Sequence, residues 1–211
     1  MSSLQGLLDL NRDLSIQFEK NDCFRLMREG KFANAVQAGK FLACYQIFSH
    51  SFQKALFVRA AFCDDPFFIP AFKQHFDEEL GHDDLLMEDR LRAGLVEIKK
   101  DPILTALTSW FAYKMLAGNH YEQAILMNVC IESAAPTIYK NAKPCIDPEN
   151  RLVHFKAHEG DIDCAHFELG TRLLQGLTEA QYDRLSDVLR ECWSILNALF
   201  KRMAEISLAL D

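Results

Sequence analysis

Three segments of the chain carry carboxylates and imidazoles, the residue types that can bind iron: Glu79 and His82 in EELGHDD, Glu132 in CIESAAP, and HEGDIDCAH from His158 to His166. On a helix, residues three or four apart share a face, so Glu79 and His82 can point at one ion, with Glu78 and His75 on nearly the same stripe. Taken alone, that pair is better explained by a solvated face. Glu132 says more, because the run from Ala124 to Ala135 around it is almost entirely apolar or small. An ionised carboxylate there is costly unless paired or metal-bound, and a Lys or Arg on a neighbouring helix is the plainer alternative. In the third segment, at about 100° per residue, Glu159, Asp163 and His166 fall in one arc and His154, His158 and Asp161 in a second. Gly160 lies between them, and a π-bulge there would bring His158 into line with Asp163 and His166. The alternative is an acidic solvated face, against which stands the clustering of His154, His158 and His166, three of the seven histidines in the chain.

The elements that must position these residues are helices. Prolines number six and glycines nine, β-branched alternation is rare, and apolar positions repeat at three and four residues. The pattern predicts a first helix over residues 4–28, a break at Gly30, and a long second helix over 33–63 that ends at Asp64, Asp65 and Pro66. A third is expected from Phe68 or Pro70 through Glu79 and His82 to Arg92, closing at Gly94. Asp101 and Pro102 have the types that cap and open a fourth, which stops near Gly118. A fifth is expected over 121–140, then a loop with Pro144 and Pro148, a sixth over 149–175, and a seventh from the cap Thr178 to the C-terminus. The expectation is an all-α, seven-helix bundle in which residues 1–211 form a single domain. No internal repeat, low-complexity tract or inter-domain linker is visible.

Composition narrows the function classes. A net charge of −7 and a pI near 5.5, with no basic cluster, argue against nucleic-acid binding. The N-terminal stretch lacks the pattern of a signal peptide and no run of apolar residues is long enough to span a bilayer, so a cytoplasmic protein without membrane attachment is expected. Seven cysteines at scattered positions, with no CxxC pair, fit reduced thiols in a reducing compartment.

With the ligand types in this order, the chain resembles the heme-oxygenase-like di-iron oxidases, a branch of the superfamily that also holds the TenA-type thiaminases and pyrroloquinoline-quinone synthase (PqqC). That family places a Glu and a His on one core helix, a Glu on the next and HxxxDxxH on a third. The resemblance runs from about residue 30 to 205. It maps Glu79 and His82 to the first helix, Glu132 to the second, and Asp163 and His166 to the end of the third motif. The ExxH spacing is similar to that of UndA-type fatty-acid decarboxylases, whereas the chlamydial CADD proteins space the pair more widely; ESAAPTIYK resembles the second-Glu helix, with Pro136 and Tyr139 following. One position departs from the pattern: four before Asp163 stands Glu159, and His158 stands five before.

The resemblance implies metal ligands Glu79, His82, Glu132, His158, Asp163 and His166, a pair of Fe(II) ions, O2 as co-substrate and a small organic substrate. Bundles of this type commonly dimerise, although no apolar stripe is clearly surplus to the core. Phe48, Phe52, Phe72, Phe76 and Phe111 could line a dry pocket, but aromatic residues at helical spacing are more often core. Two other readings stand beside this one. A TenA-like thiaminase or aminopyrimidine hydrolase would use a nucleophilic cysteine, for which Cys130 is the tempting choice; two positions from Glu132, it does not share that residue's helix face. A ligand-binding or interaction protein with a degenerate metal site would bind no iron and consume no O2.

Overall fold

The computed structural model describes residues 3–147, 149, 151–157 and 162–209, with residues 162–164 described through their backbone only. The described chain is helical throughout, without a strand, and each of the seven expected segments is present. Helices begin where a side chain can satisfy first-turn amides that have no intrahelical partner. Ser3 accepts from Gly6 N ahead of α1 (Leu4–Phe18), and Asn21 from Cys23 N ahead of α2 (Asp22–Arg28). The expected first helix is thus two, because Asn21 restarts the chain in a new direction. Asn34 caps the 28-residue α3 (Ala35–Phe62).

The third expected helix is also two: α4 (Ile69–Glu79) and α5 (His82–Arg92) meet at Gly81, whose φ of 90° lies in the left-handed region that ends a helix. Asp101 and Pro102 start α6 (Pro102–Ala117) as their types dictate. The fifth segment is α7 (His120–Ala124), then a π-helix (Ile125–Ile131), then α8 (Glu132–Ile146). Helix α8 carries Pro136 and Pro144 inside it, so Pro144 is helical rather than part of a loop, and Pro136 leaves the carbonyl of Glu132 without its amide four residues on. The sixth segment comprises α9 (Val153–Ala157) and α10 (Ile162–Leu173), and Thr178 forms a capping box with Gln181 at the head of the 30-residue α11 (Glu179–Leu208).

Helix α3 packs against α4, α5, α6 and α11, while the π-helix lies against α7, α8, α10 and α11 with all of its residues buried. The aromatic side chains Phe18, Phe24, Trp193 and Phe200 bind α1 and α2 to α11 at ring separations of 4.9–5.3 Å. Burying each is worth about 1.5–3 kcal/mol or more. No described helix is long and apolar enough to cross a membrane.

Candidate metal centre

Three buried ligand-type side chains converge from separate helices. Glu79 is the last residue of α4, Glu132 the first of α8, and His166 lies in α10; their exposures are 3%, 5% and 1%. Nδ1 of His166 stands 3.5 Å from Oε1 of Glu79 and 3.6 Å from Oε2 of Glu132, and makes no hydrogen bond among the described residues. Those gaps are too long for good hydrogen bonds, yet they suit donor atoms arranged around an ion at bond lengths of about 2.0–2.2 Å. At its other nitrogen, Nε2, His166 meets Oε2 of Glu78 at 2.7 Å. A carboxylate accepting from the outer N–H is how a metal-binding imidazole is usually oriented, with the lone pair of its other nitrogen turned inward. These observations fit a divalent cation between Glu79, Glu132 and His166. In the ion's absence, burial opposes the imidazolium, but Glu132, then Glu78 and Glu79, outweigh it and raise His166 from its usual 6.5 to about 9.

Glu79 and His82 correct the expectation of a shared helix face. Gly81 separates them onto consecutive helices, and they come together across the break, His82 Nδ1 lying 2.9 Å from Glu79 Oε2. Gln53 of α3 donates to the carbonyl of Glu79 and secures the end of α4. Glu132 is placed by the π-helix. A π turn carries an extra residue and so rotates the residues after it, and this one lies immediately before Glu132. Gly160 and the candidate ligand His158 lie outside the described residues, as do Glu159 and Asp161; the side chain of Asp163 does too.

Glu132 meets His75 and His166, at 3.1 and 3.6 Å. Behind them lies a group that the sequence pattern did not single out. Arg59 of α3, with no exposed surface, donates through Nη1 to Oδ1 of Asn128 (2.7 Å) and through Nη2 to Nδ1 of His75 (2.9 Å), and its guanidinium lies 4.3 Å from the centre of the Phe72 ring. Burial pulls Arg59 down to about 9, against the attraction of Glu132. His75, wholly buried, is held well below its usual value by burial and by the charge of Arg59. The rings of His75 and His166 lie 4.2 Å apart, and ligand atoms of His75, Glu79 and His166 fall within 4.8 Å of one another.

Beside Glu79, His82 and Glu132 opens a narrow cavity of about 50 Å³, walled mainly by apolar groups including Phe48, Phe52, Ile138 and Leu196. Of the five phenylalanines considered for a pocket, Phe48 and Phe52 line this cavity; Phe72 and Phe111 are core, and Phe76 packs half-buried against Phe57. His154 also reaches the cavity wall. Asp89 of α5 accepts from the amides of Val153 and His154 at 2.8 and 2.7 Å and fixes the start of α9, and Nδ1 of His154 lies 3.0 Å from the carbonyl of His82. Cys130 is not a cavity residue. It is fully buried, and burial next to Cys192 pushes its thiol well above its usual value, which is unsuited to a nucleophile.

No known family model matches the chain. It is 30% identical over 213 residues to the uncharacterized protein RP592 of Rickettsia prowazekii (strain Madrid E), an alignment covering 100% of this chain and 99% of that one. Among solved structures it is similar to a TenA homolog from Pseudomonas syringae pv. tomato, with a TM-score of 0.61 and 14% identity over 94% of this chain and 91% of the other. The likeness at that identity is one of fold, the all-α heme-oxygenase-like architecture.

Proposed function

We propose, for a chain that belongs to one family with the Rickettsia prowazekii protein, that it is a non-heme iron-dependent, O2-activating oxidase or oxygenase of a small organic molecule. The observation that carries this reading is Nδ1 of His166, without a hydrogen bond among the described residues, facing two buried carboxylates beside a largely apolar cavity. Glu79, Glu132 and His166 would hold the metal, with His82 adjoining Glu79. His158 and Asp163 belong to the ligand set by family resemblance, and the expectation of a second ion rests on them. Iron held there supplies the redox chemistry by which O2 is activated.

The chain's own residues do the rest. Glu78 takes the Nε2 proton of His166 and keeps Nδ1 turned inward. Phe48, Phe52, Ile138 and Leu196 exclude bulk water from the reacting end of the cavity, which strengthens each electrostatic contact inside it. A space of about 50 Å³ admits a few water-sized molecules, so the substrate is a small, slender one.

Anaerobic loading with Fe(II), metal quantification and rapid mixing with O2 test the reading. At least one iron per chain and a visible-absorption transient are expected. Less than one iron, or no transient across a panel of candidate acids and amines, would overturn it. Hydrolysis of an aminopyrimidine that survives a chelator would point instead to a metal-free hydrolase, whose nucleophile would have to be a residue other than the buried Cys130.

A further inference from the structure

We infer that Arg59 and Asn128 lock His75 in the tautomer with its proton on Nε2, which makes His75 a positioning residue for Glu132 and removes it from the metal ligands. The metal in this statement rests on the proposed function; the tautomer does not.

At first sight His75 is the most ligand-like histidine in the site. It has no exposed surface, its ligand atoms lie within 4.8 Å of those of Glu79 and His166, and its Nε2 sits 3.1 Å from Oε1 of Glu132 without hydrogen-bond geometry. A ligand nitrogen, however, must offer a lone pair, and a neutral imidazole has one donor and one acceptor nitrogen. The surroundings decide which is which. Arg59 Nη2 and Asn128 Nδ2 both approach Nδ1, at 2.9 and 2.8 Å. A guanidinium only donates. The amide of Asn128 cannot turn its oxygen to His75, because Oδ1 already accepts from Arg59 Nη1 at 2.7 Å and Nδ2 also faces the carbonyl of His166 at 3.4 Å.

Nδ1 therefore accepts, and the ring proton resides on Nε2, the nitrogen 3.1 Å from Oε1 of Glu132. The opposite tautomer would set an N–H against two N–H donors in a buried site and leave all three unsatisfied. Backbone packing closes the escape route: a Cβ on Gly170 of α10 would lie 2.4 Å from Cβ of Asn128, so α10 rests directly on that residue. Oε1 of Glu132 lies 3.1 Å from Nε2 of His75, and Oε2 is the atom that faces His166, at 3.6 Å. Two neighbouring rings 4.2 Å apart thus have opposite roles.

The test is the nitrogen spectrum of the histidine side chains in 15N-labelled protein, without metal and with Zn(II) as a diamagnetic probe. Nδ1 unprotonated and Nε2 protonated on His75 in both samples, with the His166 signals moved by Zn(II), is the expected result. A His75 with its proton on Nδ1, or an Nε2 that loses its proton and shifts with Zn(II), overturns the inference. If the protein takes up no Zn(II) or Fe(II), the functional reading fails, and the metal-free spectrum still decides the lock. His75→Leu should weaken Zn(II) binding about ten-fold, as loss of an outer partner does, and His75→Gln, which keeps a side-chain N–H, should restore most of it. A His75→Gln protein that loses Zn(II) as completely as His166→Ala contradicts the positioning role.

Discussion

His75 and His166 are both buried, their rings nearly touch, and Glu132 faces each of them, yet they meet opposite neighbours. On the α4 side, Nδ1 of His75 is approached by two donors, Arg59 and Asn128. On the α10 side, Nε2 of His166 meets an acceptor, Glu78, and its Nδ1 makes no hydrogen bond among the described residues. Residue type and burial alone would class the two together as ligands. What separates them is the direction of the hydrogen bonds on their far sides, which sets the tautomer and so decides which ring has a lone pair to offer. A buried imidazole is best assigned from its outer partner before its distance to a candidate metal position is considered.

Removing Arg59 should have the largest effect and should fall on stability. Arg59→Met strips the cation from a buried network with Glu132, Asn128 and His75, and loss of one member of such a set costs about 3–5 kcal/mol. Urea melts of the metal-free protein measure it; a loss below about 1 kcal/mol, the scale of an ordinary surface substitution, would show that Arg59 is dispensable on the His75 side. On the His166 side the loss should fall on metal affinity instead. Glu78→Gln exchanges the acceptor for a side chain that can also donate, and is expected to weaken Fe(II) or Zn(II) binding about ten-fold while shifting stability little, since Glu78 is half-exposed. Equal metal affinity in Glu78→Gln and the parent would remove Glu78 from the set of positioning residues.

The smallest effect is in the pH dependence, and its sign is set by the raised value of His166. The folded protein holds that proton up to about 9, whereas the unfolded chain gives it up near 6.5, so the stabilisation is complete below about 6.5 and is lost as pH rises through about 9. Metal-free protein should therefore melt at progressively lower temperature across that window. A bound cation displaces the same proton, so metal affinity should rise with pH over the same interval and binding should release protons. A flat melting profile would mean that the carboxylates do not hold His166 in its charged form.

Much of this arrangement is legible in the sequence, for identifiable reasons. Asp101 with Pro102, and Thr178 with Gln181, are local capping chemistry, and local chemistry survives folding. Glu132 stands out because an acid in an apolar run must find a partner. The same argument applies to Arg59, alone among the apolar residues of LFVRAAF, and would have found the cation beside Glu132. The break at Gly81 is harder to read, because a glycine between Glu79 and His82 is tolerated within a helix as readily as it ends one. The π-helix is hidden for a different reason: Ile125–Ile131 is apolar or buried on every side, so no periodic pattern records that its turn is wider than an α turn. Tautomers lie beyond sequence altogether, since they depend on which atoms three separate helices bring to one ring.

Crystals soaked anaerobically with Fe(II), with anomalous differences collected at the iron edge, test the central claim most directly. The expected result is iron bonded to Nδ1 of His166 and to carboxylate oxygens of Glu79 and Glu132, with Nε2 of His75 beyond bonding distance. Iron bonded to Nε2 of His75, or no iron between these residues, would contradict it.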